Sequence, residues 1–205
     1  MIELRKDYFL DRWVIISEKR GQRPHEFAES KPEPPKIDFF APGKEDQTPP
    51  EIGRWPKSKI WKMRWFPNKF AAVENDVFGK AQGDILHKNM PAFGYHEIIV
   101  ENPSISNQLW DLSQKDLRQV ISIYQQRTKE LSKKRDIRYV QIFKNSGKEA
   151  GASLIHSHTQ VVALPSIPSL VEDKRKGMQK VKKSYQDILE IERKTERRAF
   201  ETKYW

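Results

Sequence analysis

The 205 residues include no cysteine. That excludes disulfides and thiolate metal sites, and it suits a reducing cytosol. Long apolar runs are also missing. Nothing approaches the length of a membrane span, and the opening Met1-Ile-Glu-Leu-Arg-Lys6 is too polar for a secretory signal. The expectation is a cytoplasmic protein with no membrane partner. Acidic residues are outnumbered, 28 against 38 basic ones, which leaves a net charge of +10. Such a balance favours polyanionic partners such as nucleotides, nucleic acid or acidic membranes, and does not choose among them. With 37% hydrophobic and 11% aromatic residues, the chain can build one sizeable core, or one domain plus a fragment.

The most informative stretch is Asn145-Ser-Gly-Lys-Glu-Ala-Gly-Ala-Ser-Leu-Ile-His156-Ser-His158-Thr-Gln160. Tyr139–Lys144 before it and Val161–Leu164 after it read as strands. Gly147 and Gly151 free the backbone between them, so that main-chain N–H groups can converge on an anion. In an extended segment His156 and His158 point to one side, as residues i and i+2 must. A phosphate-binding loop followed by aimed imidazoles suggests phosphoryl or nucleotidyl transfer. Spacing alone equally allows a metal site or a hydrogen-bonded core histidine.

The rest of the chain supplies context. Arg12–Ser17 reads as a buried strand, and Glu18–Pro24 as a basic turn carrying Arg20 and Arg23. Glu29–Ile52, rich in proline and charge, reads as loop. Trp55–Trp65 interleaves three tryptophans with Lys and Arg; this pattern fits either base stacking on a single strand or aromatic packing. Trp65–Val73 reads as a turn into a strand, Glu74–Ala92 as loop, and Gly94–Pro103 as a strand. Ser113, with Asp116 three residues on, opens a helix to about Lys134 whose stripe is Leu117, Val120, Ile121, Tyr124 and Leu131. Ser169–Arg198 reads as one long, highly charged helix with a narrow apolar stripe, and Arg198–Trp205 as the entry to another strand.

These residues resemble the histidine triad superfamily, and more closely its branch of hexose-1-phosphate nucleotidylyltransferases typified by galactose-1-phosphate uridylyltransferase. There Gln stands where the hydrolases keep a third His, as at Gln160. The likeness extends to the Arg-x-x-Arg-Pro turn, to Asn68-Lys-Phe-Ala-Ala72, and to Gly94-Tyr-His-Glu-Ile-Ile-Val-Glu-Asn-Pro103. It implies an α+β fold: a histidine-triad-like antiparallel sheet with flanking helices over residues 1–168, a connecting helix over 169–198, and the start of a truncated second repeat at 199–205. It implies a UDP-glucose–hexose-1-phosphate uridylyltransferase of galactose metabolism, typically a homodimer, that takes a UDP-sugar and a hexose 1-phosphate.

By the same resemblance His158 is the nucleophile that forms a uridylyl-histidine, His156 orients the site, and Gln160 bonds a phosphoryl oxygen. Arg20, Arg23, Asn68, Asn145, Gly151 and Ser153 bind the nucleotide. Structural zinc is common in the family, and its ligand positions map to Asp38, Ala41, His96 and His156. Alanine cannot ligate. Either zinc is lost and the turn retained, with His96 beside His156, or a metal is held by Asp38, His96 and His156 alone. Ser157 replaces a proline common in uridylyltransferases and brings the run closer to ADP-glucose phosphorylase-like relatives, so an adenylyl-transferring phosphorylase is the nearest alternative. A nucleic-acid-binding module on the same scaffold, using the net charge and Trp55–Trp65, is the alternative from another class.

Overall fold

The computed structural model describes residues 2–22, 37–147 and 149–195. Arg23 and the strand expected from Arg198 onward lie outside them. The chain divides into two units, Met1–Ser166 and Ile167–Trp205.

The first unit is built on an antiparallel five-stranded sheet. Its strands are β3 (Gly53–Trp55), β4 (Met63–Pro67), β6 (Tyr95–Val100), β7 (Tyr139–Phe143) and β8 (His158–Leu164), in the order β3-β4-β6-β8-β7. A smaller antiparallel sheet, β2-β1-β5, joins β1 (Ile2–Lys6), β2 (Trp13–Ser17) and β5 (Asn89–Pro91). Residues 89–91 were expected to be loop. They form a strand because β1 offers its second edge to them.

Alternation along the central strands sorts their side chains onto two faces. Met63, Trp65, Ile99, Val161 and Ala163 pack against Val120, Ile123 and Leu131 of α1 (Gln114–Ser132). Burying each of these larger side chains contributes about 1.5–3 kcal/mol. The helix starts where its cap dictates: Ser113 Oγ accepts the Asp116 N–H at 3.1 Å. On the opposite face, Phe66, Ile98 and Val100 pack with Phe40 and Trp61, while Val162 meets Ile2 and Leu4 of the small sheet. His158 and Gln160 alternate with Thr159 and Val161, so they share this second face with Val162.

Close backbone approach fixes the start of β6. A Cβ placed on Gly94 would lie 2.3 Å from the Ala163 carbonyl oxygen and 3.0 Å from Val73 Cγ2. Only glycine fits there.

Two expectations need correction. The strand near Asn68 precedes it, as β4, and Asn68 stands in the turn that follows: its Oδ1 accepts the Phe70 N–H at 2.9 Å. The second unit holds two helices instead of one, α2 (Ser169–Val181) and α3 (Tyr185–Lys194). Lys182 adopts a left-handed conformation, with φ +53°. Ser184 then begins a new helix, with its Oγ accepting the Asp187 N–H at 3.1 Å while Asp187 Oδ2 accepts the Ser184 N–H at 2.7 Å. That reciprocal cap sets an end as well as a beginning.

Candidate active site

On the second face of the central sheet lies a cleft. Arg20, Asn68, Asn145, Gly151, Ser153, His158 and Gln160 all line it, although they span 141 sequence positions from Arg20 to Gln160. Its apolar wall includes Phe39, Phe40, Phe66, Phe70 and Ile98. Polar groups that converge beside an apolar wall are the usual form of a small-molecule site.

The register of β8 on β6 explains the placement. His158 lies opposite Val100, and Gln160 opposite Ile98. Gly147 and Gly151, at φ +78° and +73°, reverse the chain ahead of β8, and the Ala152 N–H closes that turn on the Gly147 carbonyl at 3.1 Å. Both are left-handed positions that glycine adopts without steric cost.

His158 is held by its own main chain. Its Nδ1 lies 2.9 Å from the His156 carbonyl oxygen, an acceptor only, so Nδ1 carries the proton. The lone pair is therefore on Nε2. Burial holds the His158 pKa below its ordinary 6.5. The bond to the His156 carbonyl opposes that shift and the Lys144 charge adds to it. The ring is neutral at pH 7. Phe40 abuts it edge-to-face, with centroids 5.4 Å apart.

Gln160 is oriented by a relay. The Ala72 N–H donates to His96 Nδ1 at 2.9 Å, so the proton of that neutral ring is on Nε2, which donates to Gln160 Oε1 at 3.1 Å. The amide nitrogen of Gln160 is thereby left as the donor for the cleft. Burial, together with the charge on Arg20, pushes the His96 pKa down to about 4. Asn68 Nδ2 stands 3.1 Å from the same His96 nitrogen.

His156 does not share this arrangement. Its Nδ1 lies 2.8 Å from Asp38 Oδ2, and its Nε2 lies 2.9 Å from the Asn102 carbonyl oxygen. The ring is thus turned toward Asp38 and Asn102, away from His96. Asp38 also accepts the Phe40 N–H at 3.0 Å, which ties the turn to His156 and sets Phe40 against both imidazoles. The expectation that His96 sits beside His156 is corrected here: His96 faces Gln160, Asn68 and Ala72. Among the described residues no group of three His, Cys, Asp or Glu is placed to hold a metal. Asp38, His96 and His156 do not fit a shared zinc ion, and Ala41 adds no donor.

Behind the strand, on the helix side, stands a network that sequence reasoning missed. Glu101 is fully buried. Its Oε2 accepts from Lys144 Nζ at 2.7 Å and from Ser157 Oγ at 2.6 Å, and its Oε1 accepts from Tyr124 OH at 2.7 Å and from Thr159 Oγ1. Lys144 Nζ also donates to the His158 carbonyl at 3.1 Å. Burial alone would raise the Glu101 pKa, but Lys144 and the hydroxyl donors more than offset it and keep the group ionised. A signal was available: Glu97, Ile99 and Glu101 alternate onto the helix-facing side, so two acids there require buried partners. Glu97 finds Arg127 of α1, with Nε–Oε2 and Nη2–Oε1 both at 2.8 Å.

The tryptophan-rich segment is not a stacking platform. Trp61 and Trp65 are buried and Trp55 packs against the core. Of the two features behind the nucleic-acid alternative, net charge and this segment, the segment packs inward. No helix among the described residues is long and apolar enough to cross a membrane.

Comparison with known proteins agrees with the geometry. Residues 2–168 match the family model described as galactose-1-phosphate uridyl transferase, N-terminal domain. The chain is 33% identical over 182 residues to an ADP-glucose phosphorylase of Arabidopsis thaliana, covering 85% of this chain and 52% of that protein. It is 28% identical over 213 residues to a galactose-1-phosphate uridylyltransferase of Thermotoga maritima, covering all of this chain and 61% of the relative. Among solved structures, the Arabidopsis ADP-glucose phosphorylase with bound ADP-glucose superposes with a TM-score of 0.64 at 31% identity, over 88% of this chain and 54% of that one. A uridylyltransferase structure gives 0.66 at 26% identity, over 87% and 50%. The chain thus spans little more than half the length of these relatives. It belongs to the galactose-1-phosphate uridyl transferase family, with residues 2–168 corresponding to the family's N-terminal domain.

Proposed function

We propose that the chain carries the nucleotidyl-accepting half of a UDP-glucose–hexose-1-phosphate uridylyltransferase. The diphosphate of a UDP-sugar lies in the cleft, with its α-phosphorus in front of His158. The Nε2 lone pair forms a bond to phosphorus as the bond to the bridging oxygen breaks, and hexose 1-phosphate leaves with those electrons. A second hexose 1-phosphate then attacks the uridylyl-histidine and restores the free imidazole. Arg20 neutralises phosphate charge, while Asn145, Ser153 and the amides near Gly151 bind phosphoryl oxygens. Gln160 donates a hydrogen bond and has no proton to release, which favours transfer to a sugar phosphate over loss to water.

The observation that carries this reading is the His158 tautomer. With Nδ1 committed to the His156 carbonyl, Nε2 is the basic nitrogen left to the cleft. ADP-glucose is the second candidate substrate, favoured by the 33% identity to an ADP-glucose phosphorylase. A homodimer and a cytosolic setting accompany the proposal, as does the absence of structural zinc, for which the Asp38–His156 contact substitutes.

Intact-mass measurement after mixing with UDP-glucose or ADP-glucose tests it. The expected result is a UMP adduct that His158→Asn removes. An AMP adduct alone transfers the assignment to the phosphorylase reading. No adduct with either sugar nucleotide, or one that survives His158→Asn, refutes it.

A further inference from the structure

The nucleophile occupies the middle of three consecutive residues, Ser157, His158 and Thr159, and one buried ion pair holds all three. Glu101 receives the hydroxyls of Ser157 and Thr159, and Lys144 reaches the main-chain carbonyl of His158 between them. Lys144 also contacts Ser157 Oγ at 2.8 Å, so the contacts form a closed ring. Tyr124 completes the carboxylate from α1, 2.7 Å from both Glu101 Oε1 and Thr159 Oγ1. None of Glu101, Tyr124 and Thr159 lines the cleft. All act from the reverse face of the sheet.

We propose that Glu101 and Lys144 are positioning residues for the nucleophile, clamping the backbone at 157–159 so that the His158 ring meets the nucleotide at a fixed angle. This rests on the nucleotidyl-transfer reading above.

Three features support the assignment. An ion pair taken out of water is seldom a net source of stability compared with apolar packing, so its presence calls for a role that apolar groups cannot fill. Apolar groups cannot hold a main-chain carbonyl, and Lys144 does. Glu101 directly follows β6 and Lys144 directly follows β7, while Thr159 lies in β8 and Tyr124 in α1, so the strand that bears His158 is tied to each neighbouring element. Finally, His158 is the first residue of β8, and residues 152–157 between it and the glycine-bearing turn belong to no strand or helix. Apart from the clamp, the Nδ1 bond to the His156 carbonyl and the edge of Phe40 orient the ring, and that carbonyl lies outside the strand. A displacement of about 1 Å at a reacting atom can cost about a hundredfold in rate.

The test measures the rate of nucleotidyl-histidine formation by intact mass across sugar-nucleotide concentrations, for the 205-residue chain and its variants. Glu101→Gln and Lys144→Met are expected to slow the saturated rate by about ten- to a hundredfold and to change the half-saturating concentration by less than about threefold. Lys144→Arg keeps a charge and several donors and should stay within about threefold of the unsubstituted chain. Tyr124→Phe removes one hydroxyl and gives a milder loss that reports even if Glu101→Gln does not fold. Rates are compared well below each variant's melting midpoint. The inference is overturned by folded Lys144→Met and Glu101→Gln at the unsubstituted rate. It is equally overturned if their loss lies wholly in the half-saturating concentration, or if Lys144→Arg fails as badly as Lys144→Met. An unsubstituted chain that forms no adduct overturns the functional reading itself, and this inference with it.

Discussion

Acid should unfold this protein partly through His96, and replacing that one residue isolates the effect. The ring is buried, accepts a main-chain N–H at Nδ1, and donates from Nε2 to Gln160. Protonation would place a proton where Ala72 already offers one. Lowering a histidine pKa from 6.5 to about 4 corresponds to about 3 kcal/mol of preference for the neutral ring. The unfolded chain binds this proton at higher pH than the folded one. The contribution is therefore present in full above about pH 6.5, declines as pH falls, and is gone below about pH 4. Asparagine at position 96 can still accept an N–H but does not titrate. Urea denaturation of the unsubstituted chain and of His96→Asn should therefore give a stability difference that shrinks by about 3 kcal/mol between pH 7 and pH 4. Carboxylates that titrate in both proteins cancel in that difference. Parallel pH profiles would refute the tautomer assigned to His96, and with it the account of how Gln160 is turned toward the cleft.

Three further predictions test other parts of the structure. Gly94→Ala forces a methyl group against the Ala163 carbonyl and should destabilise by more than about 2 kcal/mol in urea, as overpacking does. Arg127→Met leaves Glu97 buried without its bidentate partner, so a loss of about 3–5 kcal/mol is expected, while Glu97→Gln combined with Arg127→Met should recover part of it in a double-mutant cycle. Arg64 is buried between the rings of Trp61 and Phe66, and its Nε and Nη2 have no hydrogen-bond partner among the described residues. Arg64→Met should cost no more than about 1 kcal/mol by thermal denaturation, because the desolvation penalty leaves with the charge.

What could be read in advance divides along physical lines. Ser113 with Asp116 marked the start of α1, because a capping pair acts within one turn of chain. The same signal at Ser184 and Asp187 lay within a charged stretch that reads as continuous, and the left-handed Lys182 gives no sign in its residue type. The residues gathered at the cleft were legible through family resemblance, since no periodicity connects Arg20 to Gln160. The partners of the imidazoles were not legible. Whether His96 meets His156 or Gln160 depends on which cross-strand row each occupies, and register is settled by pairing between distant strands. Glu101 and Lys144 look like ordinary strand-end charges until the sheet is assembled around them.

The anchor on His158 is a peptide oxygen, and this has a consequence for how the site can vary. A side chain that fixed the tautomer could be lost by a single codon change. Here the residue at 156 can be exchanged without removing the group that the nucleophile leans on. A change of residue type at 156 thus leaves the anchor in place so long as the clamped main-chain path persists, whereas an insertion or deletion between positions 151 and 158 would turn the ring even with every side chain intact.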